Sequence, residues 1–182
     1  MRFEATRLPE VVLIQPRVFR DDRGWFMETW QEQKFSSAGI DARFVQANHS
    51  HSARHTLRGL HYQIKQPQGK LVRVVQGTVY DVAVDLRRHS PRFGQWVGVE
   101  LSADNQRMLW VPPGFAHGYL ALSDTVDFLY KCTDFYAPTH ERAIRWNDPA
   151  VGIHWPLPPG VIPRLSPKDA EAPLLHDAEI EP

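Results

Sequence analysis

A chain of 182 residues, 42% hydrophobic and 23% charged, carries enough apolar material for one globular domain with a substantial core. Its 21 Lys+Arg balance 21 Asp+Glu, so no global charge favours nucleic acid or a membrane surface, and the single Cys132 excludes an internal disulfide framework. No apolar run approaches the ~20 residues of a membrane span, and the N-terminus lacks the apolar stretch of a signal peptide; the expectation is one domain over 1–182, working in the cytoplasm.

Along the chain, the 15 Pro and 11 Gly predict many turns and few long helices. Val11 to Gln15 reads as a strand of edge character, stopped by Pro16. Asp21 to Gly24 is a turn into a second strand, Trp25 to Trp30. Gln31 to Ala38, closed by Gly39, is the best helix candidate. Phe44 to Ser50 predicts a short strand running into a polar loop. From residue 57 the β pattern is dense. Leu71 to Val75 and Val79 to Leu86 flank Gln76-Gly77-Thr78, a tight hairpin signal. In the second run Tyr80, Val82, Val84 and Leu86 alternate with Val79, Asp81, Ala83 and Asp85, the period of a strand with unlike faces. Trp96 to Leu101, Met108 to Val111, Tyr119 to Leu122 and Thr125 to Thr133 complete the set. Strands every eight to twelve residues with turns between them imply a sandwich, barrel or jelly roll. Beyond Tyr136 the chain turns to loop with a short helical end, and the Pro-rich segment 156–182 is expected to wrap the surface.

One polar cluster interrupts this pattern: Arg58-Gly59-Leu60-His61-Tyr62-Gln63, then Gln68-Gly69-Lys70-Leu71-Val72-Arg73. Polar groups withdrawn from water are costly unless partnered, so such a cluster within strands marks a site inside a β-structure. His61 could bind a metal, move a proton or fill a hole. A metal site of the cupin type needs two His one residue apart, then a carboxylate, then a later His. Here Gln63 replaces the second His and no Glu follows between 64 and 72, although Pro112-Pro113-Gly114-Phe115-Ala116-His117 matches the later half. Two imidazoles without a carboxylate at that spacing do not make a stable divalent site, so no metal is expected. Acid–base chemistry remains, with His61, Lys70, Tyr130 and a carboxylate as candidates. Tyr130 shares strand parity with Val126 and Phe128, and on sequence alone a core aromatic with its hydroxyl satisfied by one hydrogen bond is the better reading. His49, His51 and His55 read as solvated loop residues.

These blocks resemble the dTDP-4-dehydrorhamnose 3,5-epimerase family. The resemblance extends to Asp81-Val82-Ala83-Val84-Asp85, Tyr130-Lys131-Cys132-Thr133-Asp134-Phe135-Tyr136, Asp22-Arg23-Gly24-Trp25-Phe26-Met27-Glu28, Phe44 to Ser50, Ile144 to Pro149 and Leu165-Ser166-Pro167-Lys168-Asp169, covering roughly residues 3–177. It implies an all-β cupin-type jelly roll with a few short helices, active as a homodimer without cofactor or metal. The implied reaction inverts C3 and C5 of a dTDP-4-dehydro-6-deoxyglucose on the path to dTDP-rhamnose. The same resemblance implies His61 as base with Asp169 as its partner, Tyr130 as acid and Lys70 on the enolate. It places substrate contacts on Arg23, Phe26, Glu28, Gln46, Asn48, Arg58, His117, Tyr136, Glu141 and Lys168. Residues 1–50 are expected at the dimer interface, with residues 1–20 crossing to the partner. A single-carbon epimerase, a ketoisomerase and a sugar-binding cupin are the competing readings.

Overall fold

The computed structural model describes residues 1–180. The chain opens with β1 (Arg2–Ala5) and β2 (Val12–Gln15), then a hairpin of β3 (Val18–Asp21) and β4 (Gly24–Met27), and α1 (Glu32–Ser37). Eight strands follow: β5 (Gln46–Ala53), β6 (Leu57–Gln63), β7 (Lys70–Gln76), β8 (Thr78–Asp85), β9 (Trp96–Ser102), β10 (Met108–Val111), β11 (Phe115–Ala121) and β12 (Thr125–Cys132). A short β13 (Glu141–Ala143) and α2 (Pro167–Ala170) end the series.

Two antiparallel sheets face one another, ordered β1-β2-β10-β7-β12-β5 and β13-β6-β11-β8-β9, with the β3–β4 hairpin outside both. Their inner faces meet in a core that includes Val72, Val74, Val79, Ala83, Leu109, Phe115, Val126 and Phe128. Strand periodicity places these side chains, since alternate residues of β7, β8 and β12 point into the sandwich. The outer face of the five-stranded sheet is apolar too, at Leu60, Tyr62, Val82, Val84 and Ile144. Val151, Ile153 and Trp155, together with Leu175 and Ile180 further along, cover it. Helix α1 covers part of the other sheet's outer face, burying Phe35 and Ile40 against Ile14, Leu71 and Met108. Gln31 caps this helix through its side chain, and Gly39 at φ +80 ends it.

The observed elements depart from those expected at several places. The run at Val11 to Gln15 is interior to its sheet, and β1 is the edge. Residues 2–15 pair within their own chain, β1 with β2 and β2 with β10. The strand expected over 25–30 ends at Met27. The supposed polar loop at 49–53 belongs to β5, whose outer face is polar because it meets solvent. His49 and His51 stand on that face, and both bond Asp127 of β12, at 2.9 and 3.2 Å. The 76–78 turn is not a hairpin. β7 pairs with β10 and β12, and β8 with β11 and β9, so the turn is a corner between sheets. Gly77, at φ +78, is required there, because a Cβ would sit 2.1 Å from the Thr125 carbonyl oxygen. A tight turn in sequence fixes the reversal of direction but not which sheet each arm joins. β13 was not expected; its three residues carry little periodicity.

Candidate active site

Inward parity gathers a polar set at one end of the sandwich. On β6 the outer positions are Leu60 and Tyr62, so His61 points inward. On β7, Lys70 shares the face of Val72 and Val74; on β12, Tyr130 shares that of Val126 and Phe128. His117 and Tyr119 project inward from β11. Cα pairing aligns His117 with His61 across β6 and β11, and Cys132 with Lys70 across β12 and β7. The close approach of β6 to β11 depends on two glycines, since a Cβ on Gly59 would lie 2.5 Å from the Gly118 Cα.

A cavity of about 480 Å³ results, lined by Arg58, His61, Lys70, His117, Tyr119, Tyr130, Arg164, Lys168 and Asp169, among others. His61 and His117 come from the five-stranded sheet. Lys70 and Tyr130 come from the six-stranded sheet opposite.

The C-terminal segment contributes the carboxylate. Leu57 N–H donates to the Arg164 carbonyl (3.0 Å) and Arg164 N–H to the His55 carbonyl (2.8 Å), docking this segment on the start of β6. Ser166 caps α2, its Oγ accepting from Asp169 N–H at 3.2 Å, and Pro167 suits the first turn. Asp169 is thereby buried with its Oδ1 2.5 Å from His61 Nε2. Burial works to raise the Asp169 pKa, but the His61 ring bonded to it wins and holds the carboxyl below its usual range. With Nε2–H donated to Asp169, a neutral His61 keeps its lone pair on Nδ1.

Burial also tunes the opposing wall. It pushes Tyr130 up to about 12, with further contributions from Cys132 and Tyr119, so the phenol holds its proton at neutral pH. Burial pushes the Lys70 ammonium down, opposed by Cys132, Asp81 and Glu141. His117 Nε2–H donates to both oxygens of Asp81, at 2.9 and 3.0 Å. Burial raises the Asp81 carboxyl, and His117 partly offsets it.

A polar chain rims the cavity. Lys168 pairs with Glu141 at 2.5 Å, and Tyr136 Oη donates to Glu141 at 2.7 Å. Tyr136 N–H donates to Gln46, and Gln46 Nε2 donates to Asn48 at 3.1 Å. Arg58 is braced by Ser52 Oγ and the His51 carbonyl.

The structure thus brings together His61, Lys70, Tyr130, Asp169, Arg58, His117 and Lys168, with Gln46, Asn48, Tyr136 and Glu141 alongside. Arg23, Phe26 and Glu28 stand apart. They lie on or just after the β3–β4 hairpin, Arg23 on Asp21 at 2.6 Å and Glu28 on Lys34 at 2.7 Å, and none lines the cavity of its own chain. Sequence reasoning passed over Asp81, Tyr119 and Arg164. Asp81 carried a usable signal, a carboxylate on the same strand face as Val79 and Ala83. A separate cavity of about 360 Å³, bordered by Tyr62, Ile64, Leu86 and Phe115, has its arginines engaged, Arg87 by Asp85 and Glu10 and Arg88 by the Ile180 carbonyl. Among the described residues, no three His, Cys, Asp or Glu side chains converge as a metal site would require, and no helix is long and apolar enough to cross a membrane.

The model of the family described as dTDP-4-dehydrorhamnose 3,5-epimerase matches residues 5–177. A dTDP-4-dehydrorhamnose 3,5-epimerase of Pseudomonas aeruginosa is 58% identical over 182 residues, covering 98% of this chain and 99% of that protein. The Salmonella typhimurium enzyme of the same name is 53% identical over 175 residues, 95% of this chain and 94% of its own. Among solved structures, a dTDP-6-deoxy-D-glucose-3,5-epimerase of Legionella pneumophila in complex with dTDP-4-keto-L-rhamnose superposes with a TM-score of 0.93. It is 51% identical and covers 97% of this chain and 93% of that one.

Proposed function

This chain belongs to the dTDP-4-dehydrorhamnose 3,5-epimerase family, and on that premise we infer how its cavity works. It is an isomerase that inverts C3 and C5 of dTDP-4-dehydro-6-deoxy-D-glucose to give dTDP-4-dehydro-L-rhamnose, a step of dTDP-rhamnose biosynthesis. Both carbons flank the C4 ketone, so each carries a weakly acidic hydrogen. Its removal sends the electron pair to the ketone oxygen as an enolate, and inversion requires a proton returned to the opposite face.

In our reading His61 is the base. Nδ1 takes the proton, and Asp169 fixes the tautomer and balances the imidazolium. Lys70 stands by the enolate oxygen, where a preorganised donor stabilises developing charge. Tyr130 delivers the new proton. The observation that carries this reading is the pairing of opposed walls: the His61–Asp169 pair on one, the Lys70 ammonium and the protonated Tyr130 on the other. Arg58 and Lys168 suit the diphosphate, and Gln46, Asn48, Tyr136, Glu141 and His117 the remaining polar substrate groups. The chemistry is proton transfer alone and calls for no cofactor.

We further propose a homodimer whose partner hairpin completes each site. Three expected substrate contacts, Arg23, Phe26 and Glu28, lie away from their own cavity. The hairpin also exposes Phe19 (50%), Trp25 (52%) and Phe26 (68%), a cluster suited to burial against a second copy. The cytoplasm fits a chain whose one cysteine, Cys132, is free and buried.

The test is product analysis by NMR. Wild-type protein is expected to yield the doubly inverted sugar and His61→Asn essentially none. A product inverted at one carbon, or a His61→Asn variant of undiminished rate, would overturn the reading.

A further inference from the structure

Asp81 is fully buried at 0% exposure, a carboxylate on a core-facing strand position. Such a group is tolerated only when partnered, and both its oxygens accept from one donor, His117 Nε2–H. The His117 ring is itself fixed, stacked at 6.2 Å on Phe128, which stacks at 4.3 Å on Tyr119. Among the described residues no hydrogen bond occupies His117 Nδ1, while the ring lines the cavity. The arrangement repeats that of its cross-strand neighbour His61, which Asp169 holds by the same ring nitrogen.

We propose, resting on the epimerase reading above, that Asp81 is a positioning residue of the site: it orients His117 with Nδ1 toward the sugar and supplies the buried negative charge facing the Lys70 ammonium. An accepting carboxylate selects the Nε2–H tautomer, so neutral His117 offers a lone pair to a sugar hydroxyl. Lys70 needs its proton to stabilise an enolate, and burial works against that proton. Sharing the cavity with it are Arg58 and His61 of β6, His117 and Tyr119 of β11, Tyr130 of β12, Arg164, and Lys168 and Asp169 of α2, while Asp81 of β8, Cys132 of β12 and Glu141 of β13 also act on its charge. Of the carboxylates, Glu141 is tied to the Lys168 ammonium and Asp169 to His61, the base that gains a proton in turnover, whereas Asp81 is tied to His117, which the reaction leaves unchanged.

The test is Asp81→Asn, which keeps the shape and removes the charge. kcat should fall at least about tenfold with KM little changed. The alkaline limb of kcat, where Lys70 loses its proton, should move to lower pH by about one unit. Near wild-type kcat, or a loss of kcat with the alkaline limb unmoved, overturns the proposal. Should the variant fail to fold, ¹⁵N spectra of histidine-labelled wild type decide instead. His117 should carry its proton on Nε2 throughout, and a bare Nε2 overturns the proposal. Wild type assayed alongside separates the two claims: if it inverts neither carbon, the epimerase reading fails, whereas normal wild-type inversion with an indifferent Asp81→Asn removes only the role of Asp81.

Discussion

At the residue scale, each proton in the proposed reaction has its own carrier, and each carrier can be removed singly. Lys70→Ala deletes one preorganised donor, so kcat should drop by about 10²–10³, or ~3–4 kcal/mol of barrier, read by steady-state kinetics. Lys70→Arg should not restore it, because the planar fork cannot replace a point ammonium in a closed cavity. Tyr130→Phe should separate the half-reactions. His61 still removes and returns protons on its own face, so substrate hydrogen should wash out into D₂O, while inversion falls by about 10²–10⁴. Inversion surviving in Tyr130→Phe would remove Tyr130 from the mechanism. How much of this was legible varies with the residue. His61, Lys70 and His117 stand in runs where polar groups interrupt strand sequence, which marks them. The link from His61 to Asp169 spans 108 residues, and no local pattern reveals it. Asp81 had the right parity, yet its partner is set by the register of β8 on β11, which a single sequence does not display.

Among the elements, the C-terminal segment shows how an irregular stretch becomes functional. Its apolar residues seal the outer face of one sheet, and its last helical turn delivers Asp169 into the site. Asp148 anchors it: the buried carboxylate accepts from Ala150 N–H at 2.7 Å and Leu175 N–H at 2.5 Å. Asp148→Ala leaves both donors unpaired and should cost about 1–3 kcal/mol in urea unfolding. It should also lower kcat by loosening Asp169; unchanged kcat and stability would show that the segment needs no such anchor. Helix α1 offers a contrast, since it lies on the outer face of its sheet and adds no residue to the cavity lining. Phe35→Ala should cost about 3–5 kcal/mol with kcat per folded molecule unaffected. Elements with strong local signals, α1 with its closing Gly39 and the β8 alternation, were readable. The 76–78 corner was not, because pairing partners are a property of the whole sandwich.

For the molecule as a whole, two consequences follow. The first concerns acid. Asp169 has a folded pKa below its unfolded value, so the unfolded chain binds its proton first. Its contribution to stability is complete above the unfolded value of about 4 and is lost as pH falls through the folded one. Asp169→Asn should therefore show a shallower loss of stability below about pH 4 than wild type, measured by thermal melts across pH. The second concerns assembly. If the partner's hairpin completes each cavity, a dead His61→Asn chain still presents a sound hairpin. Mixed in equal amounts with a chain carrying Arg23→Ala and Phe26→Ala, it should regain about a quarter of wild-type activity, since random exchange makes half the dimers mixed and each of those holds one complete site of two; a mixture no better than its components would place those residues outside the site.

In the proposed mechanism one cavity moves protons on both faces of the sugar at two carbons. Turnover in D₂O, followed by NMR and mass spectrometry of the product, reads it directly. The product should carry deuterium at both C3 and C5, dependent on His61. Deuterium at one carbon alone, or inversion without solvent deuterium, would contradict it.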